Sequence, residues 1–311
     1  MSVDNVYKPY WATIVEIRDE AGGGRPIKTF KVAFDDEDLK NSWTQKSGQC
    51  AMVSIPGVGE AFFSICSPPA WEGYLEFSIM RVGIVTDAIH EMQVGDRVTV
   101  RGPYGNGFPL EMYRGKNLYF IGGGIGIAPL RSVFMEVLHK SNRKDYGKVM
   151  VVYGARTPAD LAFRQDFDEL KARDDVDIYE AVDWKFGPEG MIDEDAAEGW
   201  TKINMKEPAA TEFDPDVRQY TAFVPQMVEV IKPKPEKAFA ITCGPPIVIK
   251  FVTDALDKLG WTPDHIYTTL ENRMKCGIGK CGRCNVGEVY VCKDGPVFTY
   301  AQIKEFMEDI L

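Results

Sequence analysis

Apolar and polar residues in the first third of the chain alternate in short runs, as in β-strands that bury one face. The runs are rich in β-branched and aromatic residues, and glycine turns such as 22–24 and 57–59 separate them. Short strands at this spacing predict a small β-barrel, with one amphipathic helix over 85–92. The predicted strands cover 10–17, 27–34, 49–55, 60–67, 74–81 and 97–101.

The pattern changes after the glycine-rich segment 102–107, where buried strands begin to alternate with amphipathic helices. This alternation predicts an α/β unit with a parallel sheet. The predicted strands cover 117–121, 149–153, 176–182, 238–242 and 266–270. One predicted helix begins at Pro129, and three others cover 162–173, 223–231 and 247–259.

The first and the last of these helices carry a predicted apolar stripe, and a long connection precedes the last one. The first stripe comprises Leu130, Val133, Phe134, Val137 and Leu138. The last helix is predicted to bury Ile247, Phe251, Val252, Ala255, Leu256 and Leu259. Residues 183–235 are poorly periodic, and a connection of this length is usually functional or faces a partner.

Composition narrows the class of protein. The chain has 311 residues, 45% of them hydrophobic and 26% charged, which is typical of a soluble protein with two or three domains. A net charge of −10 argues against general nucleic-acid binding. No apolar run approaches the length of a membrane span. The acidic N-terminus has no signal-peptide pattern, so we expect a reducing, cytoplasmic location.

Four of the seven cysteines lie in one loop with the spacing C-x4-C-x2-C-x7-C. They are Cys276, Cys281, Cys284 and Cys292. The first three follow the spacing of plant-type [2Fe–2S] ferredoxins, in which four thiolates hold two irons. Glycines between them allow the backbone to curl tightly and to point N–H groups at the sulfurs. The loop therefore predicts an iron–sulfur cluster.

Two other interpretations of the cysteines stay open. A structural zinc usually takes its cysteines as pairs on two separate turns, whereas three of these lie on one run. Disulfides are disfavoured by the odd cysteine count and by the expected reducing location.

Two barrel segments are candidates for contact with a flat, phosphorylated ligand. Phe63 and Ser64 end a strand, so the ring could stack on a ring system and the hydroxyl could bond its edge. Gly83 and Thr86 enter a helix, where free N–H groups can receive a phosphate. Taken singly, each residue is better explained without a ligand: Phe63 as a core residue and Thr86 as a helix N-cap.

The α/β unit offers a third candidate segment. The run Gly122-Gly123-Gly124-Ile125-Gly126-Ile127-Ala128-Pro129 joins a strand to a helix, an arrangement that cradles phosphates. Gly154 and Cys243 also follow predicted strands, and open α/β sheets bind ligands at such carboxyl ends. We expect a nucleotide there; a tight βα turn without a ligand is the alternative.

In this order, the barrel, the glycine loop, the Cys243-Gly244-Pro245-Pro246 segment and the cysteine loop resemble the ferredoxin–NADP reductase superfamily. Within it, the chain is most similar to the gamma (diaphorase) subunits of cytoplasmic hydrogenases, and also to the electron-transfer subunit of dihydroorotate dehydrogenase. The resemblance implies an FAD-binding β-barrel domain over 1–112. It further implies an NAD(P)-binding, Rossmann-like α/β domain over 113–262, with a long insertion at 184–237, and a small [2Fe–2S] domain over 263–311.

The resemblance also implies residue roles. Phe63 and Ser64 take the places of the aromatic beside the isoalloxazine and the hydroxyl near its N5. The family arginine falls at Ala61, so another group, of which Arg81 is a candidate, must contact the pyrophosphate. The other implied FAD contacts are Ser67, Gly83, Val85 and Thr86. The implied NAD(P) contacts are Gly122, Gly123, Gly124, Gly126, Pro129, Cys243, Gly244 and Pro245.

The function implied is electron transfer between NAD(H) or NADP(H), FAD and the cluster, and then to another redox subunit of a soluble complex. That partner would be a hydrogenase or another iron–sulfur protein. Ser64 and Cys243 would act at the hydride-transfer point, although Cys243 could equally be a small buried residue. Arg156 and Arg164 are candidates for a 2′-phosphate contact, or plain surface residues. Alternatives are a dihydroorotate dehydrogenase or sulfite reductase subunit, and a zinc-bearing assembly protein.

Two further features concern a partner. Lys280 and Arg283 on the cysteine loop are either docking charges for an acidic surface or ordinary solvated charges. The tail 300–311 predicts an amphipathic helix with Ile303, Phe306, Met307 and Ile310 on one side. We expect this helix to cap the cluster segment, with a partner contact as the alternative.

Overall fold

The computed structural model describes residues 5–183, 199–203 and 206–308. The first part of the predicted insertion, residues 184–198, and residues 204–205 lie outside the described residues, as do the end of the tail, including Ile310, and the side chain of Met307. None of the helices in the described ranges has the length and apolar composition of a membrane span.

The N-terminal part is a six-stranded antiparallel sheet of the barrel type, as predicted. Its strands are β1 (Tyr10–Ala21), β2 (Ile27–Phe34), β3 (Cys50–Ile55), β4 (Gly59–Ser64), β5 (Leu75–Met80) and β6 (Arg97–Tyr104). They are ordered β4-β3-β6-β1-β2-β5. Alternate residues of β2 are fully buried against an apolar core that includes Phe30, Val32, Phe77 and Val100. Two helices accompany the sheet: α1 (Glu37–Ser42), which was not predicted, and α2 (Ile84–His90).

The second part is an eight-stranded sheet, parallel except for its last strand. Its strands are β7 (Asn117–Gly123), β8 (Val149–Ala155), β9 (Val176–Val182), β10 (Thr201–Lys202), β11 (Gln219–Thr221), β12 (Ala238–Cys243), β13 (Ile266–Thr269) and β16 (Val297–Thr299). The short hairpin β14 (Asn285–Val286) and β15 (Val289–Tyr290) lies outside this sheet. The order is β10-β11-β9-β8-β7-β12-β13-β16.

The order of these strands reverses between β7 and β12. The chain runs outward from β7 to β11 and then returns to place β12 beside β7. Such a reversal opens a crevice at the carboxyl ends of the two strands, which is where open α/β sheets bind ligands. The glycine loop and the Cys243 segment follow these two strands.

Helices cover both faces of this sheet. They are α3 (Leu110–Tyr113), α4 (Ile127–Leu138), α5 (Arg164–Lys171), α6 (Val224–Ile231), α7 (Pro246–Lys258) and α9 (Tyr300–Glu308), while the short α8 (Val291–Asp294) packs within the cysteine segment. The apolar stripe predicted for α4 is fully buried, together with Phe167 and Leu170 of α5. Helices α6 and α7 contribute to a second core with the opposite face of the sheet.

Two details of the helix predictions are wrong. On α7, Val252, Ala255 and Leu256 are buried as expected, but Ile247 is 57% exposed and Phe251 is 50% exposed. The helix lies on the sheet along a narrower stripe than the apolar sequence suggested. Helix α4 begins at Ile127 rather than Pro129, because a short 3-10 turn over Gly124–Gly126 already directs the chain into the helix.

The cysteine segment is joined to both parts of the fold. Strands β13 and β16, on either side of the cysteine loop, belong to the eight-stranded sheet. Asn106, in the predicted break between the two parts, accepts a 3.1 Å bond from the Val297 amide and donates at 2.7 Å to its carbonyl. Its own amide bonds the Gly295 carbonyl at 2.7 Å. The segment after β6 therefore anchors the C-terminal part of the chain to the barrel.

Candidate functional site

The cysteine loop is a curled backbone whose shape depends on glycine. Gly277 and Gly279 have φ of 84° and 72°, a region that residues with a Cβ rarely adopt. A Cβ at Gly277 would also lie 2.7 Å from the ring of Tyr104 on β6. Glycine at this position therefore allows the loop both to turn and to lie flat against the barrel.

The four thiols are grouped in pairs by this loop. Sγ of Cys284 and Sγ of Cys292 are 3.3 Å apart, and both residues are fully buried. The side chain of the exposed Cys281 lies close enough to lower the pKa of the Cys276 thiol, and the Cys281 amide lies 3.5 Å from Sγ of Cys276. Within the described residues, no three thiol, imidazole or carboxyl groups are arranged as they would be around a single metal ion.

Backbone N–H groups point at two of the sulfurs. The amide of Lys280 lies 3.2 Å from Sγ of Cys276, and the amide of Gly279 lies 3.2 Å from Sγ of Cys292. Partial burial tends to raise the pKa of Cys276, but hydrogen bonds from the Ile278 and Cys281 amides outweigh this effect and lower the pKa to about 6. Burial and the adjacent Cys284 thiol raise the pKa of Cys292 to about 12. Amides in this arrangement stabilise negative sulfur, which is the state that binds metal.

The sheet crevice brings the glycine loop against the Cys243 segment. Gly122 pairs with Cys243 across β7 and β12. A Cβ at Gly126 would lie 2.6 Å from the Cys243 carbonyl group and 2.6 Å from the Gly244 Cα, so only glycine permits this approach. The backbones of the two predicted nucleotide segments are therefore in contact at the switch point, with Gly124, Gly244 and Pro245 at least partly accessible.

Cys243 is buried and has a specific partner. Its Sγ lies 2.8 Å from Oγ1 of Thr269, and the residue is 2% exposed. Burial raises the pKa of the Cys243 thiol to about 12, so the thiol stays protonated at neutral pH. Pro129 is also buried, within α4, so it shapes the helix start from inside the protein.

Phe63 and Ser64 end β4, the predicted flavin strand, which lies at the edge of the six-stranded sheet. Phe63 packs against the barrel core, as the core interpretation expects, but part of its side chain stays exposed. Ser64 is partly exposed, and its hydroxyl makes no hydrogen bond within the described ranges. Ser67 differs, because its hydroxyl is fully buried and accepts a 3.1 Å bond from the Glu76 amide.

The second barrel segment is held by its threonine. Oγ1 of Thr86 accepts bonds of 2.8 Å from the amides of Val82 and Gly83 and donates at 2.9 Å to the Gly83 carbonyl. The N-cap of α2 is Gly83, so the N-cap alternative for Thr86 is wrong. Gly83 and its neighbours Val82 and Ile84 form an exposed, mostly apolar surface, with Val85 partly buried.

Three arginines had predicted or alternative ligand roles. Arg81 is exposed and pairs with Asp87 at 3.0 Å and Glu91 at 2.9 Å. Arg156 is exposed at the carboxyl end of β8, and Arg164 donates to the Pro158 carbonyl. Arg81 and Arg164 therefore have partners within the protein, while Arg156 is exposed, with its charge near that of Asp183 after β9.

Cys50 is a buried barrel residue close to both Ser64 and the cysteine segment. It pairs with Ser64 across β3 and β4, and its buried thiol is 3.7 Å from the Tyr104 carbonyl oxygen. Burial, and then the nearby Cys292, raise the pKa of Cys50 to about 12. Met274 and Ile278 of the cysteine segment pack against the apolar cluster formed by Cys50, Met52 and Tyr104, so the end of β4 lies near the cysteine loop.

The sequence analysis missed two charged residues near this junction. Glu271 follows β13, and desolvation by the surrounding protein raises its pKa although the residue still reaches solvent. Its charge adds to burial in raising the pKa of Cys243. Arg101 on β6 bonds the backbone of the cysteine loop. Glu271 lies five residues before Cys276 and could have been noticed, whereas Arg101 is 175 residues from its Cys276 partner.

Comparisons with known proteins identify two families within the chain. Residues 120–254 match the oxidoreductase NAD-binding domain family. Residues 271–304 match the iron–sulfur cluster binding domain of dihydroorotate dehydrogenase B. The two matches cover the sheet crevice and the cysteine loop.

Relatives match along almost the whole chain. The gamma subunit of sulfhydrogenase 1 from Pyrococcus furiosus is 40% identical over 280 residues, covering 89% of this chain and 86% of the relative. A probable dihydroorotate dehydrogenase B (NAD(+)) electron transfer subunit from Thermococcus kodakarensis is 32% identical, with coverages of 92% and 94%. The fold also matches a solved NADH-dependent reduced ferredoxin–NADP oxidoreductase, with a TM-score of 0.66, 20% identity and coverages of 95% and 92%.

These matches agree with the resemblance found from the sequence. The barrel precedes an NAD-binding α/β unit, and the cysteine loop follows in an iron–sulfur segment. The chain therefore has a ferredoxin–NADP reductase-like fold with an oxidoreductase NAD-binding domain and an iron–sulfur cluster binding segment, and it belongs to the family of the sulfhydrogenase gamma and dihydroorotate dehydrogenase B electron-transfer subunits.

Proposed function

We propose that this chain is the diaphorase subunit of a soluble redox complex and moves electrons between NAD(P)H, FAD and a [2Fe–2S] cluster to a partner subunit. When bound, the flavin exchanges a hydride with the nicotinamide and single electrons with the cluster, which is the chemistry that these cofactors supply. The observation that supports the proposal is the packing of the cysteine segment beside the predicted flavin residues: Met274 and Ile278 pack against the apolar cluster that contains Cys50, and Cys50 pairs with Ser64.

The thiol arrangement supports a two-iron cluster. A [2Fe–2S] centre takes four thiolates, two on each iron. Cys276 with Cys281 and Cys284 with Cys292 already form two pairs, and amides point at one sulfur of each pair. A structural zinc would instead require four ligands around one point. The residues present fit a two-iron cluster better than a single zinc.

The barrel residues would hold the flavin. Phe63 offers a partly exposed ring, and the Ser64 hydroxyl is available to bond the flavin near N5. Gly83 and Val85 would line the side of the diphosphate, on the surface shaped by Thr86. Arg81 lies beside this surface, but it would have to exchange a carboxylate partner for a phosphate.

The sheet crevice would hold the NAD(P). Gly122 to Gly126 would line its pyrophosphate, and Cys243, Gly244 and Pro245 would flank the nicotinamide. The protonated Cys243 thiol, fixed by Thr269, supplies a neutral wall rather than a nucleophile. Arg156, exposed beyond β8, would be the candidate to bind a 2′-phosphate.

We favour a hydrogenase-type complex as the partner, because the sulfhydrogenase gamma subunit is the more similar of the two relatives, at 40% against 32% identity. The match of the cysteine segment to a dihydroorotate dehydrogenase domain supports the second candidate. Lys280 and Arg283 are exposed beside the cluster loop, where an acidic partner would dock. Purifying the complex from its source and assaying hydrogen and dihydroorotate as electron donors separates the two candidates.

The proposal is tested first by an anaerobic visible spectrum of the purified chain, titrated with NADH and then with NADPH. Flavin and iron–sulfur bands that bleach with one nucleotide are the expected result and identify the donor. A colourless protein that binds zinc would overturn the proposal in favour of the assembly-protein alternative. Bands that bleach only with the partner present would assign the donor role to the partner.

We expect Gly126→Ala to weaken NAD(P)H binding by about tenfold, or about 1.4 kcal/mol. The new Cβ would lie 2.6 Å from the Cys243 carbonyl group, so the glycine loop must move away from the Cys243 segment. Nucleotide affinity is measured from flavin bleaching. Gly22→Ala is the control, since a Cβ there meets nothing within 4 Å. Unchanged affinity in Gly126→Ala would place the nucleotide elsewhere.

A further inference from the structure

Arg101 of the barrel reaches across to the first cysteine of the loop. Its guanidinium donates at 3.2 Å to the carbonyl of Cys276 and at 3.0 Å to that of Lys275. It also bonds Oη of Tyr104 at 2.8 Å and Oε1 of Glu60 at 3.1 Å. One buried side chain thus ties two barrel strands to the cysteine loop.

The positive charge of Arg101 is only partly neutralised. Its side chain is 8% exposed, while its carboxylate partner Glu60 is 40% exposed and therefore well screened by water. The remaining protein partners of the guanidinium are a hydroxyl and two carbonyls, which carry no charge. An arginine stays charged at any relevant pH, so a cation lies beside the Cys276 backbone.

The contact is rigid on both sides of the loop. Gly277, the next residue after Cys276, lies so close to the Tyr104 ring that a Cβ would be 2.7 Å from it. Tyr104 in turn packs edge-on against Phe62, the neighbour of the predicted flavin residue Phe63. The peptide of Cys276 is therefore held between a guanidinium and an aromatic ring of the barrel.

We propose that Arg101 is a positioning residue that fixes Cys276 against the flavin barrel and raises the reduction potential of the cluster. The inference rests on the proposed function, because it takes Cys276 as a cluster ligand. Reduction adds one negative charge to the cluster, and a nearby cation in a poorly screened position stabilises that charge. Net charge and hydrogen bonding around a cluster are known to set its potential.

The test uses the full chain with both cofactors and measures the cluster midpoint by redox titration with EPR detection. Arg101→Gln keeps hydrogen-bond donors near the carbonyls but removes the positive charge. Arg101→Lys keeps the positive charge but loses the planar guanidinium that donates to both carbonyls. Arg97→Gln, on the same strand, removes an arginine that is 52% exposed and paired with Asp35. The flavin midpoint of each variant is followed in parallel.

We expect Arg101→Gln to shift the one-electron equilibrium of the cluster about tenfold toward the oxidised form, a fall of about 59 mV. In Arg101→Lys, the one-electron equilibrium of the cluster should stay within about threefold of its value in the parent chain. Arg97→Gln should leave the cluster midpoint unchanged. An unchanged midpoint in Arg101→Gln overturns the inference, as does a fall of equal size in Arg101→Lys.

A second variant covers the case in which the Arg101 substitutions lose the cluster. Glu60→Gln leaves the guanidinium in place and removes its carboxylate partner, so the cluster midpoint should rise. A midpoint that stays constant or falls in Glu60→Gln then overturns the inference. Failure of the proposed function is distinguishable, since the parent chain itself would then show no iron–sulfur EPR signal on reduction.

Discussion

Substituting Cys284 by serine is expected to abolish electron delivery to one-electron acceptors while leaving flavin reduction by NAD(P)H intact. Cys284 is fully buried and its Sγ lies 3.3 Å from Cys292, so no solvent ligand can readily replace it. Changes in the second shell of metal sites already cost about 10–100-fold, and loss of a buried ligand is expected to cost about 100-fold or more. The measurements are iron and sulfide content, ferricyanide or ferredoxin reduction, and flavin bleaching.

Cys66→Ser is the matched control for this experiment. Cys66 is also fully buried, but its thiol bonds the Glu76 carbonyl and the Ser78 hydroxyl, far along the chain from the cysteine loop. A serine can make both bonds, so iron content and acceptor reduction should match the parent chain. Full iron content and full acceptor reduction in Cys284→Ser would exclude it from the ligand set.

Replacing Arg131 by methionine is expected to lower the free energy of unfolding by about 3–5 kcal/mol, the typical cost of removing one partner from a buried ion pair. Nη1 of Arg131 on α4 lies 2.6 Å from Glu76 of the barrel, and these side chains are 1% and 2% exposed. Nε lies 2.5 Å from Asp166 of α5. The substitution leaves Glu76 buried with Arg18, at 2.9 Å, as its remaining ion-pair partner among the described residues.

This network joins the barrel to the α/β sheet, so its loss should also loosen the two parts relative to one another. Denaturant unfolding, followed by flavin fluorescence and by circular dichroism, measures the effect. Arg97→Met removes an exposed ion pair with Asp35 and should cost only about 0.2–1 kcal/mol. Equal losses in the two variants would show that the buried network contributes no more than a surface pair.

The pH dependence of stability gives an independent check on the same network. Burial opposes ionisation of Glu76, but Arg131 and Arg18 overcome it and hold the pKa below its usual 4.5. A carboxyl with a depressed folded-state pKa contributes stability above its unfolded pKa, and this contribution disappears as pH falls through the folded value. In Arg131→Met the pKa of Glu76 should rise, so the acid-side loss of stability should begin at a higher pH.

Local patterns predicted most of the secondary structure correctly. Strand β2 and strand β9 have the predicted bounds, and the other predicted barrel strands and helices differ mainly at their ends. Errors occurred where burial depends on a neighbour that the local sequence does not contain. Phe251 has the spacing of a core residue, yet α7 packs along a different line and leaves it half exposed.

Some parts of the candidate site could also be recognised from local sequence, and others could not. The cysteine spacing, the glycine loop and the Cys243 segment are contiguous motifs whose chemistry can be recognised from residue type and separation. Their side-chain roles stay predictions, and Ser67 and Pro129 lie buried rather than at the open surface. Arg101 and Cys50 could not be recognised, because each acquires its place only when distant strands pair.

The sequence by itself determined the order of the parts, the candidate cofactor-binding motifs and the family, since each depends on residue type and on spacing within a short segment. Only the tertiary structure decided that Gly126 touches the Cys243 segment, that Cys50 pairs with Ser64 in a cluster on which the cysteine segment packs, and that Arg101 binds the Cys276 carbonyl. The physical reason is that strand pairing and burial bring residues together across long stretches of chain. Contacts of this kind leave no periodic signal in the amino-acid sequence.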